Sequence, residues 1–285
     1  MQVALAVHGH FYQPPRENPW TEEVSRELSA APFHDWNERI AAESYRPNAF
    51  ARVVDEWGRV EAVVNNYRCM SFDVGPTLLP WLEQNEPETY DRIVAADAEG
   101  GGGMAQAFIH LILPLATERE MRTQIRWGLA DFEHRFGRPA AGLWLPECAV
   151  NADVMAVLAD EGVAFTVLAP GQARRFRPLD GDDDQWTDGI DTTRTYRWVH
   201  PDGQGRGVDV VFYDGGLSHS LAFEMTGLSS QAFLDRVEAS APAGLVTVAA
   251  DGETFGHHHR WGERLLAHAL TVEAPRRGVP VTTVG

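Results

Sequence analysis

Seven short apolar runs, each breaking off into polar residues and separated by longer amphipathic stretches, constrain this chain more than any other feature. They lie near Val3–Val7, Val60–Asn65, Met104–Phe108, Gly142–Leu145, Ala164–Leu168, Val208–Tyr213 and Leu245–Ala250. Short β-branched runs that alternate with helix-length spacers form the pattern of strands joined by helical crossovers. The spacers Ala49–Trp57, Glu118–Phe136 and Asn151–Glu161 read as helices, the last opening on Asn151 as N-cap. The expected fold is α/β, a parallel TIM-like barrel in one domain over residues 1–285. At 285 residues and 44% hydrophobic content the chain can bury such a core.

The rhythm fails in Arg174–Gly207, where the acidic run Asp180–Asp184 is followed by Tyr196–Val199 and then His200-Pro201-Asp202-Gly203. This segment reads as a loop and then a hairpin. Gly100–Gly103 precede no Gly-Lys-Ser/Thr and read as a turn before a strand rather than a phosphate loop. The closing Val279–Val284 is apolar and reads as part of a further strand or domain.

Charge removes whole classes of function. The net charge is −17, and all 24 cationic side chains are arginine. Without lysine there is no Schiff-base chemistry, no Walker-type lysine and no Ser-Lys dyad. An acidic balance also disfavours nucleic acid as a partner, since that affinity comes from clustered cations. No run approaches the roughly 18 apolar residues of a membrane helix. The start MQVALAVHGHFYQPP lacks the pattern of a secretory signal, and the two cysteines, Cys69 and Cys148, make no disulfide framework. The expected compartment is the cytoplasm, with no membrane partner.

In a parallel barrel the active site forms at the carboxyl ends of the strands, so the polar residues after each apolar run are the candidates. The first run ends in His8-Gly9-His10-Phe11-Tyr12-Gln13 and the third leads to His110. The fourth gives Trp144-Leu145-Pro146-Glu147, the sixth Asp214, and the seventh Asp251-Gly252-Glu253-Thr254-Phe255-Gly256 followed by His257, His258 and His259. Two carboxylates at strand ends, Glu147 and Asp251, are the equipment of glycosidic cleavage, one for the anomeric centre and one for the leaving oxygen. Trp144 offers a flat ring of the kind sugars stack on. The plainer readings are Glu147 as a helix-start carboxylate and Asp251 or Asp214 as turn aspartates.

The His-x-His-x-x-Gln-Pro segment at 8–14, Trp-Leu-Pro-Glu at 144–147 and Asp-Gly-Glu-x-Phe-Gly at 251–256 resemble three signature regions of glycoside hydrolase family 57 in order and spacing. The segment Ala107–Leu115, with His110, is similar to a fourth, looser region of that family. The resemblance implies an incomplete parallel (β/α)7 barrel of the glycoside hydrolase and deacetylase type, and retaining hydrolysis, transglycosylation or branching of α-glucans. It implies Glu147 as nucleophile, Asp251 as acid/base, and an oligo- or polysaccharide as partner. His8 and His10 would line the sugar subsite, with Gln13, His110, Trp144, Asp214 and His258 as further substrate contacts. No cofactor and no metal ligand is implied. The family carries a helical region after the barrel, which these residues are expected to lack. Better-studied members have an aromatic residue where His257–His259 stand here. Two other readings remain open: a metal-dependent deacetylase or mannosidase-like enzyme using His8, His10, His110, Asp251 and the histidine triplet as ligands, and a carbohydrate-binding barrel without catalysis.

Overall fold

A computed structural model describes residues 3–100, 102–182 and 184–284, so Gly101 of the glycine run and Asp183 of the acidic run lie outside the described residues. Seven parallel strands curl into an open barrel. They are β1 (Val3–Phe11), β2 (Ser71–Val74), β3 (Gly103–Gln106), β4 (Leu143–Trp144), β5 (Phe165–Leu168), β6 (Gly207–Phe212) and β7 (Gly244–Asp251). The ladder runs β7-β1-β2-β3-β4. It continues to β5 through the parallel bridge Gly142–Phe165 and a bond from the Thr166 hydroxyl to the Leu143 carbonyl, and β5 pairs in parallel with β6. Between β6 and β7 the ladder is broken, although the Asp214 amide still donates to the Thr247 carbonyl at 2.7 Å.

Helices follow the strands as crossovers. The longest, Glu118–Phe136, opens on a capping box between Thr117 and Glu120 and closes on Gly137 at φ 70°, a left-handed C-cap that glycine adopts freely. Asn151 caps Ala152–Asp160 by accepting from the Val154 amide at 2.9 Å, as its place in the sequence suggests. Two apolar clusters fill the fold. One joins β1, β2 and β7 to their helices, and the other joins β3 to β6.

Two expectations are corrected. Ala49–Trp57 is not a helix, since Ala51–Val54 is a strand paired antiparallel with Val60–Val64. That pair is a hairpin outside the barrel, with Val60–Ala62 exposed. The second barrel strand is instead Ser71–Val74, whose four residues are all buried. The β-branched content of Val60–Val64 makes it the better strand by propensity, but burial on both faces is what makes a barrel strand. The irregular segment holds two antiparallel pairings, Arg175–Phe176 with Thr187–Asp188 and Thr195–Val199 with β6. Val281–Thr282 adds a short parallel strand to β1.

A candidate active site at the strand ends

Register assembles the site before any side chain is considered. His10 in β1 is the partner of Asp251 in β7 on one side and of Asp73 in β2 on the other. Register partners share a face of the sheet, so one histidine sits between two carboxylate-bearing positions. His8, two residues earlier, shares that face and lies deeper.

Asp73 organises this layer. It is completely buried, and its two oxygens bond His8 Nε2 at 2.8 Å and His10 Nδ1 at 2.7 Å. The Gln106 amide also donates to it. Burial works against the charge of Asp73, yet the two imidazoles hold its carboxyl below the ordinary value. For His10, burial likewise opposes protonation, but the charge and hydrogen bond of Asp73, helped by Asp251 and Glu147, raise it above the ordinary imidazole value. His10 Nδ1 thus faces Asp73, and its Nε2 is left for a second partner.

His10 Nε2 stands 3.1 Å from His110 Nε2. Burial and the neighbouring His10 charge hold His110 below the ordinary imidazole value. His110 Nδ1 lies 3.8 Å from Glu147 Oε1, beyond hydrogen-bond distance. Buried Asp73, His10 and His110 thus form a row that ends beside Glu147. Tyr12 stacks on His110 at 4.2 Å between ring centres and fixes its plane.

Glu147 itself is presented by strained backbone. It has φ 56° and Cys148 has φ 50°, two successive non-glycine residues in the left-handed region. The hook is held by amide bonds from Cys148 to Leu145 and from Ala149 to Pro146, and by the Gln172 side chain on the Cys148 carbonyl. Such strain persists only where the surroundings over-determine it, and it concentrates at functional sites. The result is a carboxylate whose side chain is 70% exposed at the mouth of the barrel.

A cleft of about 520 Å³ lies at this mouth, within the usual range for small-ligand sites. Its walls include Glu147, Asp251, His10 and Trp144, together with Tyr213, His219 and Phe223. Asp251 is exposed, like Glu147. Trp144 is only 7% exposed and stacks on His8 and His10, so it forms the floor of the cleft rather than a free platform. Phe223 is 72% exposed at the rim and packs against His219 at 4.8 Å between ring centres.

The other sequence candidates lie elsewhere. His8 is fully buried beneath His10 and does not line the cleft. Gln13 is buried and spends its amide on Tyr45 and Glu253 while its oxygen accepts from Arg16 at 2.8 Å. Asp214 caps the helix Gly215–Glu224 through the Leu217 amide at 2.8 Å, the turn role that its sequence context allowed. His258 stands outside the cleft wall, with Nε2 at 3.5 Å from Glu253 Oε2. Sequence reasoning placed Tyr12 at the strand mouth but missed Asp73, Tyr213, His219 and Phe223. Asp73 had a signal, because Ser71-Phe72-Asp73-Val74 before Gly75-Pro76 has the same form as the other strand ends.

Comparison with known proteins shows the family and the fold. A family model described as "Glycosyl hydrolase family 57" matches residues 5–280. An alpha-amylase of Pyrococcus abyssi is 22% identical over 131 residues, which are 46% of this chain and 18% of that protein. The crystal structure of 4-alpha-glucanotransferase from Thermococcus litoralis superposes with a TM-score of 0.67 at 16% identity, covering 100% of this chain and 40% of its own. A branching enzyme of the same family from Thermococcus kodakaraensis superposes at 0.63 and 16% identity, covering 100% of this chain and 70% of its own. The chain thus spans well under half the length of the first two proteins.

Proposed function

Because the chain belongs to glycosyl hydrolase family 57, we propose that it is the catalytic barrel of a retaining enzyme acting on α-glucans, with Glu147 as nucleophile and Asp251 as general acid/base. The observation that carries this reading is the left-handed hook at Glu147, which turns a carboxylate into the cleft that Asp251 also lines. The relatives named above supply the substrate class, as an alpha-amylase, a glucanotransferase and a branching enzyme.

In the first half-reaction a Glu147 oxygen attacks the anomeric carbon, the bond to the leaving oxygen breaks, and Asp251 gives that oxygen its proton. In the second, Asp251 takes a proton from water or a sugar hydroxyl, which attacks the same carbon and frees Glu147. Two inversions give net retention. Retention needs carboxyl groups about 5–5.5 Å apart at reaction, and both side chains line the same cleft. Phe223 and His219, at the rim, are suited to bind the sugar chain outside the cleaved bond.

Incubation with maltooligosaccharides followed by chromatography of the products tests this. Redistribution of chain lengths, or release of shorter sugars, is expected from the wild type and not from Glu147→Gln. Equal activity in the variant would overturn the assignment.

A further inference from the structure

The turn after β7 holds a group of side chains that the proposed reaction does not use. Glu253, His257 and His258 each bring one donor atom to within 4.8 Å of the others. His258 Nε2 and Glu253 Oε2 are 3.5 Å apart, close to the edge of about 3.3 Å expected between ligands on a tetrahedral zinc ion with bonds of about 2.0–2.1 Å.

The surroundings are those of a prepared site. Glu43 bonds His257 Nδ1 and so fixes the ring, as an outer carboxylate does for a metal-bound imidazole. Gln13 donates to Glu253 Oε1 and is itself held by Arg16, so the other oxygen stays free. The turn is rigid. The amides of His257 and His258 both donate to the Glu253 carbonyl, at 3.1 and 2.9 Å, and Asn48 holds the Phe255 carbonyl at 2.8 Å. Gly256, at φ 130°, lies where a Cβ would meet the Glu43 carbonyl at 2.1 Å, so only glycine lets the turn dock this closely. His258 keeps 44% of its side chain exposed and leaves one side open to solvent.

We propose that Glu253, His257 and His258 form a divalent-metal site, best suited to zinc, whose fourth position takes water and whose ion locks the turn that begins at Asp251. Two imidazoles and a carboxylate form a borderline donor set that favours zinc over calcium or magnesium, which prefer oxygen. The proposal does not depend on the reaction assigned to the cleft.

The test uses the full, untagged chain stripped with chelator, then titrated with zinc chloride by calorimetry and with cobalt chloride by visible absorption. Binding of about one zinc per chain and the intense bands of four-coordinate cobalt are expected. Glu43→Gln should weaken binding about 10–100-fold, and His257→Ala with His258→Ala should remove it. No stoichiometric binding, or binding unchanged in the double variant, would overturn the site. Should that variant fail to fold, anomalous diffraction from zinc-soaked wild-type crystals decides, and density away from these three side chains overturns the proposal.

Discussion

At Glu147 the side chain needed in the cleft and the backbone that delivers it are in conflict, since φ 56° suits glycine better than glutamate. A left-handed non-glycine residue costs on the order of 1–3 kcal/mol. Glu147→Gly should therefore be more stable than Glu147→Ala by about 1 kcal/mol, because alanine keeps the strain, and both should be inactive. Thermal melts of the two variants check this, and equal stability would show an unstrained hook. The Asp73–His10 pair carries a pH dependence whose sign is set by both partners. His10 is raised above 6.5, so the stabilisation from its proton is complete below that value and is lost as pH climbs through the raised one. Asp73 is lowered below 3.8, so its share is present above that value and is lost only as pH falls through the lowered one. The pair should weaken first on the alkaline side. Asp73→Asn should cost about 3–5 kcal/mol at mildly acidic pH, as breaking a buried pair does, and should flatten the alkaline fall in urea stability. An unchanged profile would refute the pairing. Strand-end carboxylates such as Glu147 and Asp251 were legible because Pro146 and Gly252 frame them in the sequence. Asp73 was not, because its four-residue strand offers less β-branched character than the hairpin before it.

Among the elements, those read correctly owe their legibility to local physics. Glu118–Phe136 and Ala152–Asp160 announce themselves through caps, a contest decided within one turn. Ala51–Val54 and Val60–Val64 deceived because period and propensity do not say whether a strand is buried on two faces or none. Asp214 belongs to this scale too, as the N-cap of Gly215–Glu224, the helix that carries His219 and Phe223 to the cleft rim. Asp214→Ala should lower stability by about 1 kcal/mol and raise KM by misplacing that helix. Asp214→Ser restores a capping oxygen on a shorter side chain and should recover both. A variant that regains stability while KM stays high would mean that the carboxylate itself binds sugar. Phe223→Ala should leave stability nearly unchanged, since the ring is 72% exposed, while raising KM for long oligosaccharides more than for short ones.

On the scale of the whole molecule, an open ring of seven parallel strands brings residues 10, 73, 147 and 251 to one mouth, although they span most of the chain. That convergence was readable as an alternation of apolar runs and spacers, whereas the incompleteness of the barrel came only from the family resemblance, because ladder closure depends on tilt and register that no local pattern encodes. The central claim is that this convergence makes Glu147 a covalent nucleophile. Its most direct test is mass spectrometry of Asp251→Asn after brief reaction with an α-maltosyl fluoride, whose leaving group needs no protonation, so that glycosylation proceeds while deglycosylation stalls. The predicted result is a maltosyl adduct on the peptide containing Glu147, removed on adding azide. Turnover of the fluoride with no adduct, or an adduct on any other carboxylate, would contradict it.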